Sequence, residues 1–187
     1  LKLTSAELKA KSSQYLSKPD ERPELLKALT SDAKTTEAYN RFLYELVGEI
    51  KPTIVLETGT DRGRSAAHMA LGCPTSTVFT IDIDRACKDN VDALKIKNII
   101  SVAANSLEYA KSIPDAWVDF LFLDSLHTYD YVTKEWAAFR PKVRPGGIVF
   151  FDDVALDDGM KRFWAEVQGE KLDLPELHFS GFGAVLL

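Results

Sequence analysis

Two spacings of apolar residues divide the chain. Up to about residue 50 they recur at helical intervals, most clearly at Tyr39, Phe42, Leu43, Leu46, Val47 and Ile50, which share one helical face. Gly48 and Pro52 are expected to stop that helix. The part before it, interrupted at Lys18-Pro19 and Arg22-Pro23, reads as short helices broken by turns. From residue 53 onward, short β-branched and aromatic runs alternate with amphipathic stretches. Strands are expected near 53–58, 77–82, 98–102, 117–123 and 146–151, with helices near 63–71, 85–95, 106–112, 129–140 and 157–168. This alternation defines an α/β fold, a doubly wound, mostly parallel sheet covered on both faces. Two apolar runs around Ser180-Gly181, within about 176–187, predict an antiparallel closing hairpin. Residues 1–50 are expected to form a helical extension of the same domain, whose main body spans 51–187. Such helices can pack on the domain, cover a site or mediate a homodimer, and the pattern does not choose among these.

In doubly wound sheets, ligands bind beyond the carboxyl ends of the strands, where the strand order reverses. The polar residues expected there are Glu57, Gly59, Asp82, Asn105, Asp124, Asp152 and Asp153. They are predominantly acidic, which is unusual for strand ends that serve no ligand. The fold therefore predicts that they converge on one site.

Composition narrows the partner. With 187 residues the chain suits one domain with a full core, and 45% hydrophobic and 27% charged residues are ordinary for a globular protein. A net charge of -5 argues against a nucleic-acid backbone as ligand. No apolar run approaches the roughly 20 residues that cross a bilayer, and the first residues carry no signal-peptide pattern. Cys73 and Cys87 have neither redox nor zinc-knuckle spacing, as expected for ordinary thiols in a reducing cytoplasm. A small molecule is the expected partner.

The first strand runs into Glu57-Thr58-Gly59-Thr60-Asp61-Arg62-Gly63-Arg64-Ser65 and then a helix. Gly59 allows unusual backbone angles and a close approach to the main chain, and Gly63 allows tight packing where the helix begins. The free N–H groups of a helix start add hydrogen bonds and positive potential. The spacing GxxxG is neither the dinucleotide fingerprint GxGxxG nor a P-loop. An acidic Glu57 also suits a cationic ligand better than a pyrophosphate. On its own this turn is equally a tight strand-to-helix connection.

The pattern Glu57-x-Gly59-x-x-x-Gly63-x-Ser65, followed by Ala66-Ala67-x-Met69-Ala70, resembles the first motif of class I, Rossmann-like S-adenosylmethionine-dependent O-methyltransferases, notably the catechol type. The resemblance implies that Glu57, Gly59 and Ser65 hold the methionine part of the cofactor, with Gly63 completing the turn. Many members carry another glycine where this chain has Asp61.

Asp82 ends the second strand, about 20 residues past the glycine turn, where an acid accepts hydrogen bonds from ribose hydroxyls. The resemblance favours it over Asp84, which reads as a helix N-cap. Asn105 and Ser106 stand where this family contacts adenine, and equally where a helix needs a cap.

Asp124 follows the fourth strand, where it is expected to bind the cofactor beside its methyl group, and Asp152 and Asp153 follow the fifth. If they meet, three carboxylates repel unless a cation or protons compensate. Oxygen donors without cysteine favour Mg2+, Mn2+ or Ca2+ over zinc. The alternative is that Asp152 caps a turn, Asp153 is solvated, and only Asp124 meets a ligand. The stretch Asp119–Val154 resembles the methyltransferase 24 family, which implies Asp124, Asp152 and Asp153 as metal ligands. Catechol-type enzymes typically have Asn at the last position, so Asp153 is closer to the sugar-modifying branch. His127, three residues after Asp124, matches that branch's catalytic base, or else bonds the following helix start. His68 and His178 lack such companions and read as structural or exposed.

The expected activity is metal-assisted methylation of a small-molecule hydroxyl, with Asp124 and His127 as catalytic residues. Two rivals differ in class: a nicotinamide-dependent enzyme, disfavoured by the missing GxGxxG, and a non-catalytic S-adenosylmethionine-binding domain; a nearer rival is a metal-independent methyltransferase acting on another atom.

Overall fold

The computed structural model describes residues 3–31 and 37–187. The helical expectation for 1–2 and 32–36 lies outside the described residues. Helix α1 (Ser5–Ser17) opens with a capping box, in which the Thr4 N–H donates to Glu7 and the Glu7 N–H to Thr4 Oγ1. Helices α2 (Glu24–Thr30) and α3 (Glu37–Ile50) follow. The apolar face of α3 is fully buried at Phe42, Leu43, Leu46 and Val47. Each such side chain contributes about 1.5–3 kcal/mol. Gly48 does not stop α3, which runs through it to Ile50. A Cβ there would stand 2.9 Å from the Gly72 carbonyl oxygen, so the glycine admits the neighbouring helix α4 (Arg64–Gly72).

Strands β1 (Ile54–Thr58), β2 (Thr77–Asp82), β3 (Ile99–Ala103), β4 (Val118–Leu123) and β5 (Val143–Asp152) alternate with α4, α5 (Arg85–Ala93), α6 (Ser106–Ala110) and α7 (Tyr129–Phe139). Helix α8 (Asp158–Glu166) leads to β6 (Glu170–Asp173) and β7 (Phe182–Leu186). Among the described residues, the seven strands form one sheet in the order β3-β2-β1-β4-β5-β7-β6. The first five pair in parallel, and β7 lies antiparallel between β5 and β6. The order reverses at β1, flanked by β2 and β4, which is where such sheets bind ligands.

Strand alternation divides the core. Phe120, Phe122, Ile148 and Phe150 pack on one face with α1, α3 and α4, while Leu121, Leu123, Val149 and Phe151 pack on the other with α7 and α8. Leu8 and Tyr15 of α1 and the apolar face of α3 lie in the first of these clusters. His68 is structural: fully buried, it donates from Nδ1 to the Arg64 carbonyl oxygen (2.7 Å) and accepts at Nε2 from Arg22 (2.9 Å).

The closing hairpin is present, but its first arm is β6, before the expected 176–187 segment. Leu174 and Leu177 insert into the core, so 174–181 is a connecting loop and not a strand. No helix among the described residues is long and apolar enough to cross a membrane.

Candidate active site

A cavity of about 610 Å³ opens along the carboxyl ends of the strands, a size typical of small-molecule sites. Its walls include Gly59, Ser65, Asp82, Asn105, Ser106, Asp124, Asp152 and Asp153, so most of the expected residues converge. Glu57, Gly63 and His127 do not line it.

Glu57 stands one layer back. It is fully buried and accepts hydrogen bonds from Ser65 Oγ and from Thr80 Oγ1 (2.5 Å). Thr80 Oγ1 in turn lies 2.7 Å from Thr60 Oγ1. Burial pushes the Glu57 carboxyl up to about 7, against the two hydroxyls, with the Asp82 charge adding to the rise. The acid thus fixes Ser65, which does face the cavity. Gly63 is the left-handed N-cap of α4 (φ 73°), and its bare Cα packs on Val91 of α5. Gly59 meets the backbone of Asp124, so its open side serves a protein segment as well as the cavity.

Asp82 accepts at Oδ2 from the Thr60 N–H (2.8 Å) and at Oδ1 from the Asp84 N–H (2.9 Å). Burial raises its pKa, but these N–H groups and that of Asp61 lower it further, and the net shift is downward. Asp84 is the N-cap of α5, as expected. Asn105 caps α6, accepting from the Leu107 and Glu108 N–H groups, and also faces the cavity. Ser106 donates to Glu135 Oε1 (2.6 Å) and lies 2.9 Å from the Tyr131 hydroxyl.

At the other end, burial raises the Asp124 pKa well above the carboxylate range, and the charges of Asp152, Glu57 and Asp153 add to it. Among the described residues, the ion pairs of Asp124, Asp152 and Asp153 are to histidines alone. His127 Nε2 lies 3.4 Å from Asp124 and its Nδ1 3.2 Å from Asp153, while His178 Nδ1 lies 2.7 Å from Asp152. His127 Nε2 is buried without a hydrogen-bond partner. Excess negative charge, hard oxygen donors and an unmatched ring nitrogen suit a divalent cation.

Several participants went unread in the sequence. His178, read as structural or exposed, faces the cavity and the aspartates, because β7 folds back beside β5. Tyr39 of α3 lines the cavity and meets the His178 ring edge-on at 5.3 Å. Glu135 was detectable: it is an acid on the buried face of α7 between Val132 and Phe139. Burial pushes its pKa upward, against hydrogen bonds from Ser106 and Ser125.

The family described as "Methyltransferase domain", methyltransferase 24, matches residues 56–154, just over half of the chain. The chain belongs to that family. Among curated proteins none matches. Solved structures share the fold. A methyltransferase from Geobacter sulfurreducens superposes with a TM-score of 0.68 at 17% identity, covering 95% of each chain. An O-methyltransferase from Bacillus cereus, in complex with SAH, gives 0.65 at 18% identity, covering 93% of this chain and 96% of that one. TomG from Streptomyces achromogenes, an O-methyltransferase of tomaymycin synthesis in complex with SAM, gives 0.63 at 18%, covering 96% and 95%. At such identities the likeness concerns the fold, that of class I O-methyltransferases.

Proposed function

We propose that the protein transfers the methyl group of S-adenosylmethionine to a hydroxyl oxygen of a small molecule, assisted by a hard divalent cation such as Mg2+. The observation that carries this reading is one cavity with Asp82 at one end and Asp124, Asp152 and Asp153 at the other. Family membership and the cofactor complexes of two fold neighbours support the choice of cofactor.

In this reading Asp82 accepts the ribose hydroxyls through lone pairs its backbone bonds leave free. Asn105 and Ser106 face the adenine. Ser65, backed by Glu57 and flanked by Gly59, holds the methionine part, and Gly63 sets the start of α4 on which Ser65 stands. Asp124, Asp152 and Asp153 hold the cation. The cofactor supplies an electrophilic sulfonium methyl, and the cation lowers the pKa of the acceptor hydroxyl. The remaining work is positioning, which contributes a large part of the rate in such transfers. His127, whose Nε2 lies 3.4 Å from Asp124, or a carboxylate in the same shell, collects the proton of the acceptor hydroxyl.

Calorimetric titration of S-adenosylmethionine with and without Mg2+, followed by a screen of vicinal diols and phenols, tests the reading. Asp124→Asn or Asp152→Asn is expected to abolish metal-stimulated turnover, with cofactor affinity kept within about threefold. Unchanged methyl transfer after chelation and both substitutions would remove the cation. Failure to bind the cofactor would remove the whole reading.

A further inference from the structure

We propose that the loop between β6 and β7 forms an outer clamp for the metal site, in which His178 and Ser180 each engage one oxygen of the Asp152-Asp153 pair and leave the other oxygens to the cation. This rests on the cation site proposed above, and His178 is here a positioning residue.

The bonds divide the four oxygens. Asp152 Oδ1 accepts from His178 Nδ1 (2.7 Å) and from the Asp153 N–H (2.9 Å). Asp153 Oδ1 accepts from Ser180 Oγ. Asp153 Oδ2 instead points to His127, 3.2 Å from its Nδ1. The loop's bonds thus fall on the two Oδ1 atoms, while Asp153 Oδ2 faces His127.

The loop is built to hold this arrangement. His178 and Ser180 are 8% and 5% exposed. Tyr39 and Phe179 meet the His178 ring edge-on, with centroids 5.3 Å and 4.9 Å away. Ala155 N–H donates to the Ser180 carbonyl oxygen (2.7 Å), and Gly181 N–H to that of His178 (3.0 Å). Gly181 has φ 90°, and a Cβ there would come within 2.9 Å of the Ala155 nitrogen. Asp153 itself takes φ 58°, a left-handed conformation that a non-glycine residue holds where its surroundings impose it.

A His178 ring nitrogen lies within 4.8 Å of carboxylate oxygens of Asp152 and Asp153, a group that does not include Asp124, so direct ligation is the competing role. A ring nitrogen that donates its hydrogen to Asp152 has no lone pair for a metal, and hard cations take oxygen first. Groups behind metal ligands typically set affinity by about 10–100-fold.

Mn2+ binding to the full chain, read by electron paramagnetic resonance, tests the clamp. His178→Ala is expected to weaken Mn2+ about 10–100-fold, with S-adenosylmethionine affinity in the absence of metal within about threefold of wild type. His178→Asn, which restores a donor near the Nδ1 position, should recover most of the loss. Ser180→Ala should shift Mn2+ affinity in the same direction, and it serves as the test if His178→Ala fails to fold. Unchanged Mn2+ affinity in both alanine variants overturns the clamp. So does a directly coordinated nitrogen in the wild-type pulsed spectrum that His178→Ala abolishes, which would make His178 a ligand. If the wild type binds no Mn2+ at all, the cation reading itself fails.

Discussion

The main chain of Asp124 passes directly over Gly59: a Cβ on that glycine would stand 1.8 Å from the Asp124 carbonyl oxygen. The contact joins the ends of β1 and β4 where the strand order reverses, and Asp124 N–H donates to the Thr58 carbonyl oxygen there (3.0 Å). Gly59→Ala must displace backbone and also strains a φ of 85°. It is expected to cost about 3 kcal/mol or more in denaturant unfolding. Gly63→Ala meets only the Val91 and Leu94 side chains, which can move, and should cost less.

Two buried groups give opposite pH slopes. Glu57 titrates near 7 in the folded chain against an ordinary 4.5, so the folded state holds its proton more tightly. The associated stability is present below pH 4.5 and is lost as pH rises through 7. Burial lowers His68 from 6.5 to about 4, outweighing its bond to the Arg64 carbonyl, with the Arg22 charge adding to the fall. Its stability is present above pH 6.5 and is lost as pH falls toward 4. Each contribution is about 3 kcal/mol, so they nearly cancel between pH 4.5 and 6.5. Glu57→Gln should expose a slope falling toward acid, and His68→Gln one falling toward base, in unfolding free energies measured across that range.

Glu135 holds two hydroxyls of the cavity wall, Ser106 (2.6 Å) and Ser125 (2.8 Å). Glu135→Ala removes both acceptors and opens a void under Ser106. S-adenosylmethionine affinity is expected to fall about tenfold, equivalent to 1.4 kcal/mol. Mn2+ affinity should be unchanged, since Glu135 contacts neither Asp152 nor Asp153. Calorimetry with each ligand separately distinguishes the two effects.

Asp82→Ala removes the ribose acceptor in the proposed complex and also the partner of the Thr60 and Asp84 N–H groups. Bonds to a charged group are worth about 1.5–3 kcal/mol, which predicts a loss of about 10–100-fold in cofactor affinity. Adenosine lacking its ribose hydroxyls should compete more weakly than adenosine against wild type, and as well as adenosine against the variant.

The strands, most helices and the strand-end acids were legible because period and turn chemistry are local. Asp84 and Asn105 could be read as caps from their positions alone. Gly48 misled because a helix stop and a close helix crossing call for the same residue. Glu57 was assigned to the ligand because a sequence shows that an acid ends a strand but not which layer it occupies; Ser65 and Thr80 settle that in space. His178 was missed because its partners are 26 residues away, across an antiparallel pairing with no local signature.

The placement of β7 inside the sheet has a consequence for assembly. Residues assigned to the nucleoside in the proposed complex lie between 57 and 106 and meet through neighbouring parallel units. The charged end waits for a strand beginning at Phe182 to enter between β5 and β6. Such distant pairing forms late, because loop closure must precede its reward. A partly folded chain would thus acquire its nucleotide half first, and its capacity for chemistry would mature last, with the docking of one strand.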